Sequence, residues 1–330
     1  MTCARRDVQD ARAWMHQPAR CTRTRVPKRY SGHSVKSAHH RFAIRRATAV
    51  RSLCRRQLPV LARTAATRDH TVDLDVVSFS NHGYVPEQLM SIRSFLREAG
   101  APASWTVVSD GTHTRGDAEL LTRLNPCVRV VDHASYRRAD LTGRLVQHAS
   151  AHPGGAQLCT WLSVRPAGRP VLYTDSDVLF FPGARHLDEI IGDVQVPAFY
   201  LPDIPGALNE TMLREGDSRD PVNAGFFVLH QPLDLRLGLE RFAAEDLPLS
   251  WTRPWFYGQT LIHLAMHASG AAALDDALYV LQFDDERTVR DMHCSSEQRM
   301  RHYCRPVRHR FWLRAARDVL APRRSVRRRR

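Results

Sequence analysis

Lysine is nearly absent from this chain: Lys28 and Lys36 are the only two among 330 residues, and every other basic side chain is arginine. The bias matches a GC-rich coding sequence. It also leaves no lysine beyond residue 36 to sit beside a phosphate. No window approaches the 18 consecutive apolar residues that a membrane-crossing helix needs. No C-x-x-C pair occurs, and the seven cysteines are scattered and odd in number. That usage points to reduced thiols in a cytoplasmic protein rather than to a disulfide framework. There is no internal repeat and no apolar core of a secretory signal.

Acidic residues are scarce only at the ends. Residues 1–70 hold 17 lysines and arginines against Asp7, Asp10 and Asp69, and residues 299–330 hold 13 arginines against Asp318. The overall charge of +14 therefore leaves 71–298 with a net charge of −12. An acidic body between basic ends is not a broad nucleic-acid face. A protein acting on nucleic acid through its termini alone is the non-enzymatic alternative. Residues 1–70 lack a sustained apolar period and read as a basic, disordered leader. A basic arm on anionic lipid and an arginine-rich transit peptide are the other readings. Residues 71–320 form the single main domain, and 321–330 an arginine-rich tail. Peripheral contact with the inner face of the membrane is compatible with such ends.

Order is expected to begin near Val72. Residues 72–79 alternate as a first strand, entering a turn at Asn81-His82-Gly83. Pro86 opens a helix, with Leu89, Ile92, Phe95 and Leu96 at helical spacing and Gly100 as its stop. Strands follow at 105–109 and 128–131, and helices at about 140–150 and 155–164. Later strands fall at 170–175, 197–200, 222–229 and 279–283, with helices at about 234–245 and 258–269 between them. Alternation of this kind means α/β architecture: a mostly parallel, twisted sheet covered by helices. Ligands of such sheets bind beyond the carboxyl ends of the strands. Asn81, Asp110, Asp175 and Asp177 all stand at such ends.

The run Pro170-Val171-Leu172-Tyr173-Thr174-Asp175-Ser176-Asp177 carries the chemistry. A buried strand cannot cheaply hold two unpaired acids, so the pair belongs at its end, where a cation neutralises both. Hard oxygen ligands suit Mg²⁺ or Mn²⁺, and such ions complete their shell with phosphate oxygens. His293, Cys294, His302 and Cys304 are all capable zinc ligands, but their spacing matches no standard zinc finger.

The order of elements resembles the metal-dependent glycosyltransferases of the GT-A fold, over roughly residues 72–313. The residues that carry the resemblance are Val108-Ser109-Asp110-Gly111, Tyr173-Thr174-Asp175-Ser176-Asp177, Val222-Asn223-Ala224-Gly225-Phe226-Phe227, Gly258-Gln259-Thr260 and His302 through Trp312. The resemblance implies transfer of a sugar from a nucleotide-diphosphate sugar to a hydroxyl of a glycan or lipid-linked acceptor. It implies that Asp177 binds Mn²⁺ or Mg²⁺, that Asp175 touches the ribose or the metal, and that His302 is a further metal ligand. Asp110, with Asn81 near it, would lie by the nucleoside, Asn223 by the donor sugar or acceptor, and Arg305 or Arg308 by the leaving diphosphate. One departure stands out: many relatives have an acid before the Gln of the later helix, and here that residue is Gly258. Asp275/Asp276 or Asp284/Asp285 are the candidates to replace it as base. The competing enzyme class is a haloacid-dehalogenase-like, Mg²⁺-dependent phosphatase, with Asp175 as nucleophile. It places its acid pair on the first strand and needs a later lysine.

Overall fold

The computed structural model of the protein describes residues 38–65, 67–141, 143–151, 153–245, 254–288 and 291–320. Expectations placed on the first 37 residues, on 246–253 and on the tail 321–330 lie outside the described residues. The described chain opens with two helices, α1 (Ala38–Arg56) and α2 (Leu58–Arg63). Then β1 (Thr71–Ser80), α3 (Val85–Glu98), β2 (Ala101–Ser109), α4 (Arg115–Thr122) and β3 (Val128–Asp132) alternate. The helices α5 (His133–Tyr136), α6 (Arg144–Ala151) and α7 (Pro153–Ser163) lead to β4 (Val171–Thr174). Next come β5 (Val178–Phe180), α8 (Asp188–Gly192), β6 (Ala198–Pro202), β7 (Val222–Leu229), α9 (Arg236–Ala244) and α10 (Pro254–Ala268). β8 (Ala272–Ala273), β9 (Tyr279–Val280), β10 (Met300–His302) and α11 (Arg308–Leu320) complete it.

Seven strands form one sheet in the order β3-β2-β1-β4-β7-β6-β8. β3, β2, β1 and β4 are parallel, and β7 runs antiparallel to both β4 and β6. This is the α/β class with a mostly parallel sheet that the sequence predicts. Two-residue periodicity sends side chains to separate cores on the two faces. Leu172, Phe226 and Val228 join Val76 in the core that contains α3 and α11. Val171, Tyr173, Phe227 and Leu229 join Val77 in the core under α7 and α10. Burial on both faces explains why these strands read as unbroken apolar runs. Each large side chain so buried contributes roughly 1.5–3 kcal/mol.

The strand order reverses direction between β1 and β4, and ligands of open α/β sheets bind at such a switch, beyond the carboxyl ends of the strands. The chain leaves β4 through Asp175–Asp177 and enters β5, which belongs to a second sheet of order β5-β10-β9. β10 pairs antiparallel with β5, setting His302 opposite Val178. The Tyr303 amide donates to the Asp177 carbonyl at 2.9 Å. This small sheet carries a residue 125 positions downstream to the acid pair.

Order begins well before Val72, which corrects the sequence reading. α1 and α2 bury Ala47, Cys54, Leu58, Leu61 and Ala62 against the body. Arg51 Nη2 donates to the buried Glu87 carboxylate at 2.9 Å, and Trp312 Nε1 donates to the same group at 3.0 Å. Glu87 thereby ties α1, α3 and α11 together. The apolar stripe of α1 is narrow and built partly of Ala and Cys, so the surrounding arginines hide its period. On the opposite face Phe42 and Leu53 are 67% and 60% exposed, among Arg45, Arg46 and Arg56. No acid occurs between residues 38 and 68. No helix among the described residues is long and apolar enough to cross a membrane.

Candidate active site

Asp175, Asp177 and His302 meet beyond the end of β4. One donor atom from each lies within 4.8 Å of the others. His302 Nε2 is 3.2 Å from Asp177 Oδ1 and 3.6 Å from Asp175 Oδ2. A Mg²⁺-sized ion about 2.1 Å from each of two neighbouring ligands sets those ligands roughly 3 Å apart. The two distances sit slightly above that edge, so the residues present fit a small dication.

The outward atom of each ligand is already committed. Asp175 Oδ1 accepts from Tyr173 Oη and from Gln157 Nε2, both at 2.9 Å. Asp177 Oδ2 accepts from Arg308 Nε at 3.0 Å and Nη2 at 2.6 Å. His302 Nδ1 lies 3.0 Å from Asn223 Oδ1. Such partners orient metal ligands and leave one lone pair on each facing a common point.

The two carboxylates have opposite electrostatic surroundings. Burial pushes Asp175 up to about 6, against the pull of the His302 charge and with the Asp177 charge adding to the rise. Burial acts the same way on Asp177, but the Arg308 charge and then His302 outweigh it and hold this acid well below the usual range. Burial would lower His302, yet the Asp177 charge and hydrogen bond raise it. A dication at this point neutralises both acids and removes the reason for Asp175 to hold a proton.

Close packing here requires glycine at 225. A Cβ on Gly225 would stand 2.4 Å from His302 Cε1, 2.7 Å from Asp175 Oδ2 and 2.9 Å from Asn223 Oδ1. Contacts that short force the ligand set apart.

The remaining sequence candidates divide. Arg308 is drawn to Asp177 rather than left free, and its Nη1 donates to Tyr84 Oη at 2.7 Å, with the guanidinium 5.2 Å from the Tyr84 ring centroid. Asn223 has both polar atoms engaged: Oδ1 by the Gly225 amide and His302, Nδ2 by Asp203 at 2.8 Å. Asn81 and Asp110 do stand at adjacent strand ends, where the Asp110 amide donates to the Ser80 carbonyl at 3.1 Å. Their side chains cap their own turns: Asn81 Oδ1 accepts from the Tyr84 amide, and Asp110 Oδ1 from the Thr112 amide and hydroxyl. Arg305 is exposed.

Gly258 is buried against Trp161, whose ring carbon would be 3.3 Å from an added Cβ. Asp285, one candidate to replace the missing acid, is locked to Arg301 and Arg310 inside the body. Asp284 pairs with His293. The two histidines weighed as zinc ligands thus belong to separate clusters. Sequence reasoning passed over Asp203, Gln157 and Tyr84. Asp203 is a lone acid in a loop, and no spacing marks it.

No protein-family model matches the sequence, and no curated protein matches it by sequence. Solved structures do resemble it. The chain is similar to glycosyltransferases. The galactosyltransferase LgtC, solved with donor and acceptor sugar analogues, matches at a TM-score of 0.45 and 13% identity, over 76% of this chain and 98% of that one. Mouse xyloside xylosyltransferase 1 matches at 0.43 and 14%, over 70% and 97%. The bifunctional glycosyltransferase WbbM matches at 0.47 and 15%, over 77% of this chain and 51% of its own.

Proposed function

We propose that this protein is a glycosyltransferase that moves a sugar from a nucleotide-diphosphate sugar to a hydroxyl of a glycan or lipid-linked acceptor. Mn²⁺ or Mg²⁺ would be held by Asp175, Asp177 and His302. The carrying observation is the convergence of three donor atoms whose other polar atoms are all tied elsewhere. When bound, the ion supplies positive charge against the diphosphate as the sugar–phosphate bond breaks. Arg308 adds a fixed positive charge on the same rim, held in orientation by Tyr84 and Asp177. The nucleoside would lie beyond the ends of β1 and β2, by Asn81 and Asp110, where ligands of such sheets bind.

The phosphatase alternative has less support. Asp175 Oδ1 is occupied by two hydrogen bonds and Oδ2 faces His302, an arrangement suited to a ligand more than to an attacking nucleophile. Thermal denaturation separates the two readings. At least one nucleotide-diphosphate sugar is expected to raise the melting temperature by several degrees with Mn²⁺ and not with EDTA. A ligand at 100 times its Kd adds about 2.7 kcal/mol. Brisk Mg²⁺-dependent hydrolysis of an aryl phosphate, with no such shift, reverses the assignment.

The acid-free outer face of α1 supports contact with anionic lipid, since exposed apolar side chains set among arginines suit a charged interface. The protein is expected to float with phosphatidylglycerol vesicles at low salt and to lose that property in the Phe42→Glu, Leu53→Glu double variant. Equal flotation of both proteins removes α1 as the contact.

A further inference from the structure

We propose that Asn223 is a positioning residue: anchored by Asp203 and the Gly225 amide, it fixes the tautomer of His302 so that Nε2 presents a lone pair to the space between the two aspartates. This rests on the reading of Asp175, Asp177 and His302 as ion ligands.

The chain of hydrogen bonds has only one consistent direction. A backbone amide can only donate, so the atom of Asn223 that lies 2.9 Å from the Gly225 nitrogen is the carbonyl oxygen, Oδ1. The other end agrees. Asn223 Nδ2 donates to Asp203 Oδ2 at 2.8 Å, and Gln259 Nε2 donates to the same oxygen at 2.8 Å. The Ile204 amide donates to Asp203 Oδ1 at 2.6 Å. Asp203 is thus surrounded by donors and acts as acceptor on both oxygens. With the amide of Asn223 fixed at both ends, His302 Nδ1 faces an acceptor at 3.0 Å and must carry a proton. A neutral imidazole has one N–H, so its Nε2 is bare.

That bare nitrogen stands 3.2 Å and 3.6 Å from two carboxylate oxygens. Three lone pairs facing one another repel unless a cation lies among them: a second proton on Nε2, donated to Asp177 Oδ1, in the metal-free chain, or the ion when it is bound. Asn223 therefore does for His302 what Tyr173 and Gln157 do for Asp175: it occupies the outer atom and aims the inner one. The role differs from a contact with the donor sugar, for which the engaged side chain leaves one amide N–H.

The test uses the full chain and Mn²⁺ as probe. Long-range ¹H–¹⁵N correlation of the metal-free protein at alkaline pH reads the His302 tautomer, and electron paramagnetic resonance reads free Mn²⁺ during titration. Wild type is expected to show the Nδ1–H form. Asn223→Asp keeps an oxygen acceptor for Nδ1 and is expected to keep that form; because it replaces the donor to Asp203 with a second carboxylate, only its tautomer is compared. Asn223→Leu is expected to shift to the Nε2–H form and to lose 10–100-fold in Mn²⁺ affinity. The Nε2–H form in wild type overturns the proposal without any variant, as does an Asn223→Leu protein with unchanged tautomer and affinity. A wild type that binds no Mn²⁺ overturns the ligand reading instead, so the two failures are distinguishable.

Discussion

Asp177→Ala is expected to lower donor turnover by at least about 10²–10³-fold, the range seen when one preorganised stabilising contact is taken from an active site. Asp177 is 3% exposed and joins three parts of the site. Its Oδ1 faces His302 Nε2, its Oδ2 holds Arg308, and its carbonyl accepts from the Tyr303 amide. The substitution removes the first two and spares the third, so β5 and β10 should stay paired. Arg308 then loses its carboxylate and keeps only Tyr84. Circular dichroism should remain that of wild type while single-turnover transfer collapses. A variant that retains transfer within tenfold of wild type rules Asp177 out of the reaction.

Asp285→Ala is expected to be the most destabilising single change outside the site, costing about 3–5 kcal/mol. Asp285 and Arg301 are both fully buried. Their two hydrogen bonds are 2.8 and 2.9 Å long, and Arg310 approaches the same carboxylate at 3.5 Å. Burial alone would raise this acid, but the hydrogen bond and charge of Arg301 carry it below the usual range. Its removal leaves a buried guanidinium partly uncompensated, with Asp291 as its remaining acid. A melting temperature lower by on the order of 10 °C is the expected reading for a chain of this size. Arg301 is the neighbour of His302 on β10, so the variant should also weaken Mn²⁺ binding. Pairing Asp285→Leu with Arg301→Met should recover part of the lost stability, because it removes the central pair together while Arg310 and Asp291 each lose one partner. A single variant that melts within 2 °C of wild type contradicts the buried-pair account.

Much of the sheet was legible because its strands are buried on both faces. Val171, Leu172 and Tyr173 form an apolar run with a sharp polar end, and β1 and β7 are equally plain. The acid pair was legible for the same reason: two carboxylates directly after such a run have few places to go. Other elements were not. β10 has three residues and exists because β5 and β9 accept it on either side. α1 hides a narrow small-residue stripe among arginines, and α4 begins with a capping box at Thr114 and Asp117 that has no long apolar period after it. β9 covers only Tyr279–Val280 of the strand expected over 279–283.

At the site, composition pointed to the ligands but not to what orients them. Asn223 and Arg308 were recognisable as residues, and their partners were not, because a hydrogen bond between positions 79 apart leaves no trace in spacing. The loop acid Asp203 illustrates the limit most clearly. Its importance comes from Asn223 and Gln259, which reach it from β7 and α10.

Titration of Mn²⁺ into wild type and Asp177→Ala, followed by the paramagnetic resonance of the free ion, tests the central claim most directly. One ion is expected to bind per wild-type chain, with no saturable binding to the variant. Identical isotherms for the two proteins would show that the carboxylates at the end of β4 do not hold the ion.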